Sequence, residues 1–133
     1  MIRAIADTHA VIWYLYDDPR LSPSARTAFE EASAEGELIG FSSITLIEIV
    51  YLVEKGRIKA KTLERLFDVL ETRETGLVEI PVDRSVAKAM QGVLWSQVPD
   101  MPDRIIAATA LAQGMPIISR DAKIRVVGIP TIW

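Results

Sequence analysis

Short apolar runs alternate with helical patterns along the chain, and this alternation limits the fold more than any other feature of the sequence. The apolar runs have the length of strands, and the segments between them carry caps and apolar positions at helical spacing. Strands that are connected through helices imply a mainly parallel sheet with helices on both faces. The sequence therefore predicts an α/β fold, specifically a three-layer α/β/α sandwich.

The boundaries of the predicted elements follow from caps, glycines and prolines. The predicted strands are residues 1–6, 38–41, 77–82, 115–119 and 126–132. The predicted helices are residues 7–15, from the Ser22 cap to about 34, 42–53, 60 to about 75, 83–95 and 100–113. Because no repeat, low-complexity tract or linker interrupts them, we expect one domain over residues 1–133.

Composition excludes several classes of protein. A chain of 133 residues that is 50% hydrophobic can form one core but is too short for two ordinary domains. It contains no cysteine, which excludes disulfides and thiolate zinc sites and fits a cytoplasmic location. No apolar stretch approaches the roughly 18 residues of a membrane span, so we expect no membrane association. A net charge of −3 means that any contact with RNA requires a local basic patch or bound cations.

Three acidic residues are predicted to lie near the carboxyl edge of the sheet, where ligands of parallel sheets bind. Asp7 follows the first strand, Asp121 follows the strand that ends at residue 119, and Asp103 lies at the start of a helix. Each of them has an alternative interpretation as a helix cap or a first-turn acid. Their combined placement at one edge favours a site.

Glu48 is the only charged residue in the otherwise apolar segment 44–53. A helix of this composition is buried on nearly all sides. An ionised carboxylate there needs a basic side chain, hydrogen-bond donors, a proton or a metal ion, unless it reaches solvent at the edge of the core. Glu48 is therefore a fourth candidate for the same site.

Clustered carboxylates repel one another and remain ionised together only around a hard cation. Without cysteine and with a single histidine, the available ligands favour Mg²⁺ or Mn²⁺ over zinc. Such ions can orient a phosphodiester, activate water and stabilise the leaving oxygen. We interpret His9, which has no recognisable nucleophile elbow nearby, as a capping or packing residue.

Four short segments occur in the order found in PIN-domain nucleases, and the chain resembles the VapC-type toxins of that family. The segments are residues 6–10 (ADTHA), 43–49 (SITLIEI), 102–108 (PDRIIAA) and 118–121 (ISRD). The resemblance implies a three-layer α/β/α fold, Mg²⁺- or Mn²⁺-dependent endoribonuclease activity, a homodimer and neutralisation by a cognate antitoxin.

The resemblance also assigns roles by position. Asp7, Asp103 and Asp121 would bind the metal ion, and Glu48 would bind it directly or through water. Two hydroxyl residues, Thr8 and Ser119, would support these acids. Whether Asp100 joins the metal ligands stays open.

Two arginines next to proposed ligands, Arg104 and Arg120, are possible RNA contacts, with charge balance as the alternative interpretation. A phosphoacceptor signalling domain is a second candidate, but it needs an acidic pair after the first strand, where this chain has one aspartate. A PIN-like binding module without catalytic activity is a third.

Overall fold

The computed structural model describes residues 1–72, 76–126 and 128–133. Within these residues the strands are β1 (Ile2–Ala6), β2 (Leu38–Ser42), β3 (Leu77–Ile80), β4 (Ile117–Ile118) and β5 (Thr131–Ile132). The helices are α1 (Thr8–Leu15), α2 (Pro23–Ala34), α3 (Ile44–Glu54), α4 (Thr62–Thr72), α5 (Arg84–Met90), α6 (Met101–Gln113) and α7 (Ala122–Val126). None of these described helices combines the length and apolar character needed to cross a bilayer.

The strands form one sheet in the order β3-β2-β1-β4-β5, and every neighbouring pair is parallel. The chain builds outward from β1 through β2 to β3, and then returns to place β4 on the other side of β1. The strand order therefore reverses between β1 and β4. In open α/β sheets, the crevice beyond the carboxyl ends of the strands at such a reversal is the usual ligand site.

The two faces of the sheet are both apolar because helices cover both of them. Ala4 and Ala6 of β1 pack in one core with α1, α2, α3 and α4, whereas Ile5 packs in the other core with α5, α6 and α7. Phe29 and Ile106 are among the largest fully buried side chains of the two cores. The predicted α/β sandwich with a parallel sheet is confirmed.

Helices α1 and α6 begin at the carboxyl edge of the sheet, and both start at capping residues that the sequence indicates. The side chain of Asp7 accepts the N–H of Ala10 at 2.9 Å and caps α1. The side chain of Asp100 accepts the N–H of Asp103 at 3.2 Å and caps α6, which ends at Gly114 with a φ of 65°. These caps therefore set the backbone positions from which the side chains of Asp7 and Asp103 extend.

The predicted extension of α5 to Trp95 is wrong, because the helix ends at Met90. The N–H of Gly92 donates to the carbonyl of Ala89 at 2.9 Å, and that of Val93 donates to the carbonyl of Met90 at 3.0 Å. These bonds span three residues and close tight turns in place of further α-helical bonds.

The predicted strand over residues 126–132 is also largely wrong: its first residue ends α7, and only Thr131 and Ile132 form a strand. The carboxylate of Asp121 accepts the N–H of Lys123 at 2.9 Å and starts this helix. Strand β5 is confined to the end of the predicted range, and residue 127 lies outside the described residues.

Smaller differences concern element ends. Strand β3 ends at Ile80 rather than at residue 82, since the N–H of Val82 donates to the Ser43 hydroxyl at 3.1 Å. Strand β4 is shorter than the predicted residues 115–119. The predicted end of α4 at about residue 75 lies outside the described residues.

Candidate active site

A cavity of about 400 Å³ lies at the carboxyl ends of β1 and β4, where the strand order reverses. Three of the predicted acids line it: Asp7, Asp103 and Asp121. Glu48 is not among the described lining residues, but it is close enough to Asp7 and Asp103 for their charges to interact. The other lining residues are His9, Trp13, Arg120, Ala122 and Trp133.

The register of the sheet brings the residues after β1 and β4 together. Ala6 pairs with Ile118, and the N–H of Asp7 donates to the carbonyl of Ile118 at 3.1 Å. Ser119 is fully buried, its hydroxyl donates to the Asp7 carboxylate, and its Oγ accepts the N–H of Asp121 at 3.0 Å. Ser119 therefore links the two strand-end acids.

The carboxyl of Asp7 lies in an environment that disfavours its charged form. Burial raises the pKa of its carboxyl above the ordinary value, and the charge of Asp121 raises it further. Hydrogen bonds from the Ser119 hydroxyl and the Ala10 N–H lower this pKa, because they stabilise the carboxylate, and the charge of His9 lowers it as well. Burial is the largest of these effects, so a neighbouring cation would favour the ionised form.

Glu48 is positioned by two buried threonines. The Thr8 hydroxyl donates to Oε1 of Glu48 at 2.5 Å and lies 3.0 Å from the Thr45 hydroxyl. Because the proton of Thr8 points to Glu48, Thr45 is the donor to Thr8. Thr8 is among the residues predicted from the sequence and Thr45 is not, although the position of Thr45 one helical turn before Glu48 places it on the same face of α3.

The pKa of Glu48 is raised mainly by burial. The Thr8 hydroxyl lowers this pKa, while the charges of Asp100 and Asp7 raise it. Glu48 thus experiences the charge of acids from two other parts of the chain, the segments after β1 and at the start of α6.

The pKa of Asp103 is shifted strongly upward. Burial is the first cause, and together with neighbouring acids it raises the pKa of Asp103 from 3.8 to about 7. The acids that contribute are Asp100, Asp121 and Glu48, and a hydrogen bond with Asp100 acts in the same direction. The structure thus brings Asp100 to the other acids, and we name these five residues the acidic cluster: Asp7, Glu48, Asp100, Asp103 and Asp121.

None of the ion pairs among the described residues involves the acidic cluster, although His9 and Arg120 line the same cavity. These ion pairs involve Arg3, Arg20 and Arg26, which bind other acids. Among the described residues, no three His, Asp or Glu side chains lie as close together as the ligands of a bound metal ion do. Repulsion between unneutralised carboxylates favours such a spread arrangement. The oxygen-only donors fit a hard divalent ion, which would have to draw them together.

The two arginines that the sequence suggested as RNA contacts differ in their environment. The guanidinium of Arg104 donates to the carbonyls of Val93 at 3.0 Å and Met90 at 3.2 Å, and so ties α6 to the end of α5. Arg120 is exposed, and its guanidinium lies 4.6 Å from the centroid of the Trp13 ring. Arg120 is therefore the better placed of the two for contact with a ligand.

The fold and the cavity define an α/β protein with an all-parallel sheet and an acid-lined crevice at its topological switch point. The chain belongs to the PIN domain family, whose profile matches residues 4–130. It is 28% identical to Ribonuclease VapC22 of Mycobacterium tuberculosis, with 100% of both chains covered. The family predicted from the sequence is thus confirmed.

Solved structures agree with this assignment of the fold. VapBC2 from Rickettsia felis, bound to a DNA fragment from its promoter, matches with a TM-score of 0.72 and 20% identity over 98% of this chain and 97% of that chain. DNA-bound VapBC from Salmonella typhimurium matches with a TM-score of 0.69 and 22% identity over 98% and 97%. FitAcB from Neisseria gonorrhoeae matches with a TM-score of 0.63 and 20% identity over 98% and 96%.

Proposed function

We propose that this chain is a divalent-cation-dependent endoribonuclease and the toxin of a toxin–antitoxin pair. The observation that carries the proposal is the acidic cluster, gathered at the switch point of a PIN domain, with none of its acids in an ion pair among the described residues. The full-length relative from Mycobacterium tuberculosis is named a ribonuclease, which supports the same activity.

In this proposal Asp7, Asp103 and Asp121 hold Mg²⁺ or Mn²⁺, and Glu48 binds the ion directly or through water. The ion would supply Lewis-acid activation of water and charge neutralisation at the phosphodiester. Ser119 orients Asp7, and Thr8 orients Glu48, through the hydrogen bonds described above. The chain itself therefore positions the proposed ligands through these hydrogen bonds.

Two alternatives are less well supported. A phosphoacceptor domain would need an available aspartate after the third strand, but the Asp83 carboxylate is occupied by the N–H groups of Ser85 and Val86 as the cap of α5. A PIN-like binding module without activity would not need the hydrogen bonds that hold the carboxylates of Asp7 and Glu48.

The proposal is tested by incubating the purified chain with labelled single-stranded RNA. We expect cleavage with Mn²⁺ or Mg²⁺ and none with excess EDTA, because the acids alone repel the phosphate backbone. Adding Mn²⁺ back in excess should restore cleavage. Activity that persists in EDTA would contradict the proposal.

We further propose a homodimer that is formed through the exposed face of α3. Ile47, Val50 and Tyr51 are 64%, 41% and 52% exposed, and their spacing creates an apolar stripe on the helix that carries Glu48. Light scattering should give about twice the 14.8 kDa chain mass for the wild type and the monomer mass for Ile47→Asp. Leu111→Asp, at an exposed leucine of α6, is the matched control that should remain dimeric. A monomeric wild type would contradict this assignment.

The antitoxin would be the product of a gene adjacent to the gene for this chain. The proposal draws on neighbours such as the toxin–antitoxin complex from Klebsiella pneumoniae, with a TM-score of 0.59 and 23% identity. The product of an adjacent reading frame should inhibit the Mn²⁺-dependent cleavage at equimolar concentration. The cytoplasmic location expected from the cysteine-free sequence stays a prediction.

A further inference from the structure

The cavity that holds the acids also has aromatic and basic lining residues that the proposed metal site does not use. Trp13 is only 4% exposed, and its ring lies 5.8 Å from that of Trp133 and 5.5 Å from that of His9. Trp133 and His9 retain exposed surface. The buried Trp13 therefore acts as a support, while Trp133 and His9 present ring surface to the cavity.

Arg120 adds a positive charge to the same lining. Both Arg20 and Arg120 lie over Trp13, with guanidinium carbons 5.0 Å and 4.6 Å from its ring centroid. Asp18 neutralises Arg20 through an ion pair at 2.8 Å, whereas Arg120 has no ion pair within the described residues. The charge of Arg120 is thus available to an anion, in a chain whose net charge of −3 gives no general attraction.

We propose that Trp133 and Arg120, supported by Trp13, form a nucleotide subsite next to the acidic cluster. The indole of Trp133 stacks on one base of single-stranded RNA, and Arg120 contacts a neighbouring phosphate. This inference rests on the proposed function, since it names where the RNA substrate is held.

Unpaired bases of single-stranded RNA can turn out of the strand and expose a face for stacking. Stacking on an aromatic side chain tolerates any base, and it is independent of the phosphate repulsion that the acids exert. A cavity of about 400 Å³ is within the size range of small-ligand sites, so it is large enough to admit a nucleotide.

The subsite is tested by binding in EDTA, where cleavage does not interfere. The probe is a fluorescein-labelled RNA octamer of mixed sequence, measured by anisotropy. Trp133→Leu should weaken binding about 5- to 150-fold, as expected for the loss of one stacked base. Trp133→Phe should recover most of the affinity, which a simple packing role would not require. Trp95→Leu, at a tryptophan that is 70% exposed and absent from the described cavity lining, is the matched control and should bind as the wild type does.

Two further measurements separate stacking from charge. Arg120→Ala should reduce the slope of log affinity against log salt by about 0.7, the value for one phosphate of a single strand, whereas Trp133→Leu should leave that slope unchanged. An octamer with abasic sugars should bind wild type and Trp133→Leu equally.

If Trp133→Leu binds the normal octamer like Trp95→Leu, the subsite is refuted, even when Mn²⁺-dependent cleavage is intact. If the RNA binds through Trp133 but is never cleaved with Mn²⁺, the nuclease proposal fails and the subsite stands.

Discussion

We expect Asp7→Asn to lower Mn²⁺-dependent RNA cleavage about a hundredfold or more while the chain remains folded. Residues that merely orient a metal ligand change affinity or activity by about 10- to 100-fold when they are replaced, so the loss of a ligand itself has at least that effect. Asparagine keeps the shape of the side chain but removes the charge that holds the ion. The measurement is the initial rate of cleavage at saturating Mn²⁺.

The structural role of Asp7 makes this variant informative. Asparagine caps helices about as well as aspartate, so the hydrogen bond to the Ala10 N–H, and with it the start of α1, should survive. Since burial raises the pKa of the Asp7 carboxyl, its neutral replacement should also raise the melting temperature of the metal-free protein. Asp68→Asn, at an exposed aspartate of α4, is the control and should change neither property. Full activity in Asp7→Asn would refute its role as a ligand.

The second large effect concerns the melting temperature of the metal-free chain, which we expect to fall as the pH rises from about 5 to 8. The pKa of Asp103 is 3.8 ordinarily and about 7 in the folded chain. Between these values the native state binds more protons than the unfolded state, so stability decreases with rising pH. The destabilisation is absent below the unfolded-state pKa of 3.8 and complete above the folded-state pKa of about 7.

Mn²⁺ should reverse this destabilisation, with a larger effect at pH 8 than at pH 6, because protons compete with the ion for the same oxygens. An ion at about 100 times its Kd stabilises the native state by about 2.7 kcal/mol, which corresponds to a shift of several degrees. The measurement is a thermal melt with and without Mn²⁺ at each pH.

Asp103→Asn provides the comparison for the same experiment. This variant should flatten the pH dependence of the metal-free melting temperature and reduce the Mn²⁺ shift, while Asp68→Asn should behave as the wild type does. A wild-type melting temperature that is unaffected by both pH and millimolar Mn²⁺ would refute a metal site at the acidic cluster.

Local signals in the sequence were sufficient for much of the fold. Apolar runs without polar alternation indicate strands that are buried on both faces, and the caps at Ser22 and Asp100 indicate helix starts. These signals depend on residues within a few positions of one another, and so they are readable without the tertiary structure. They failed near Trp95 and beyond Asp121, where tight turns and a short helix replace the regular elements that the apolar residues suggested.

Only the tertiary structure decided which side chains meet. Thr45 reaches Glu48 through Thr8, and Asp100 joins the acids, because packing brings α3 and α6 to the ends of β1 and β4. Arg104 and Arg120 each follow or precede a proposed ligand in the sequence, and so they look equivalent there. In the structure, the guanidinium of Arg104 is hydrogen-bonded to backbone carbonyls, whereas Arg120 lines the cavity. The sequence alone therefore identified the candidate acids. The interaction between their charges depends on distances between remote segments of the chain, which no local pattern encodes.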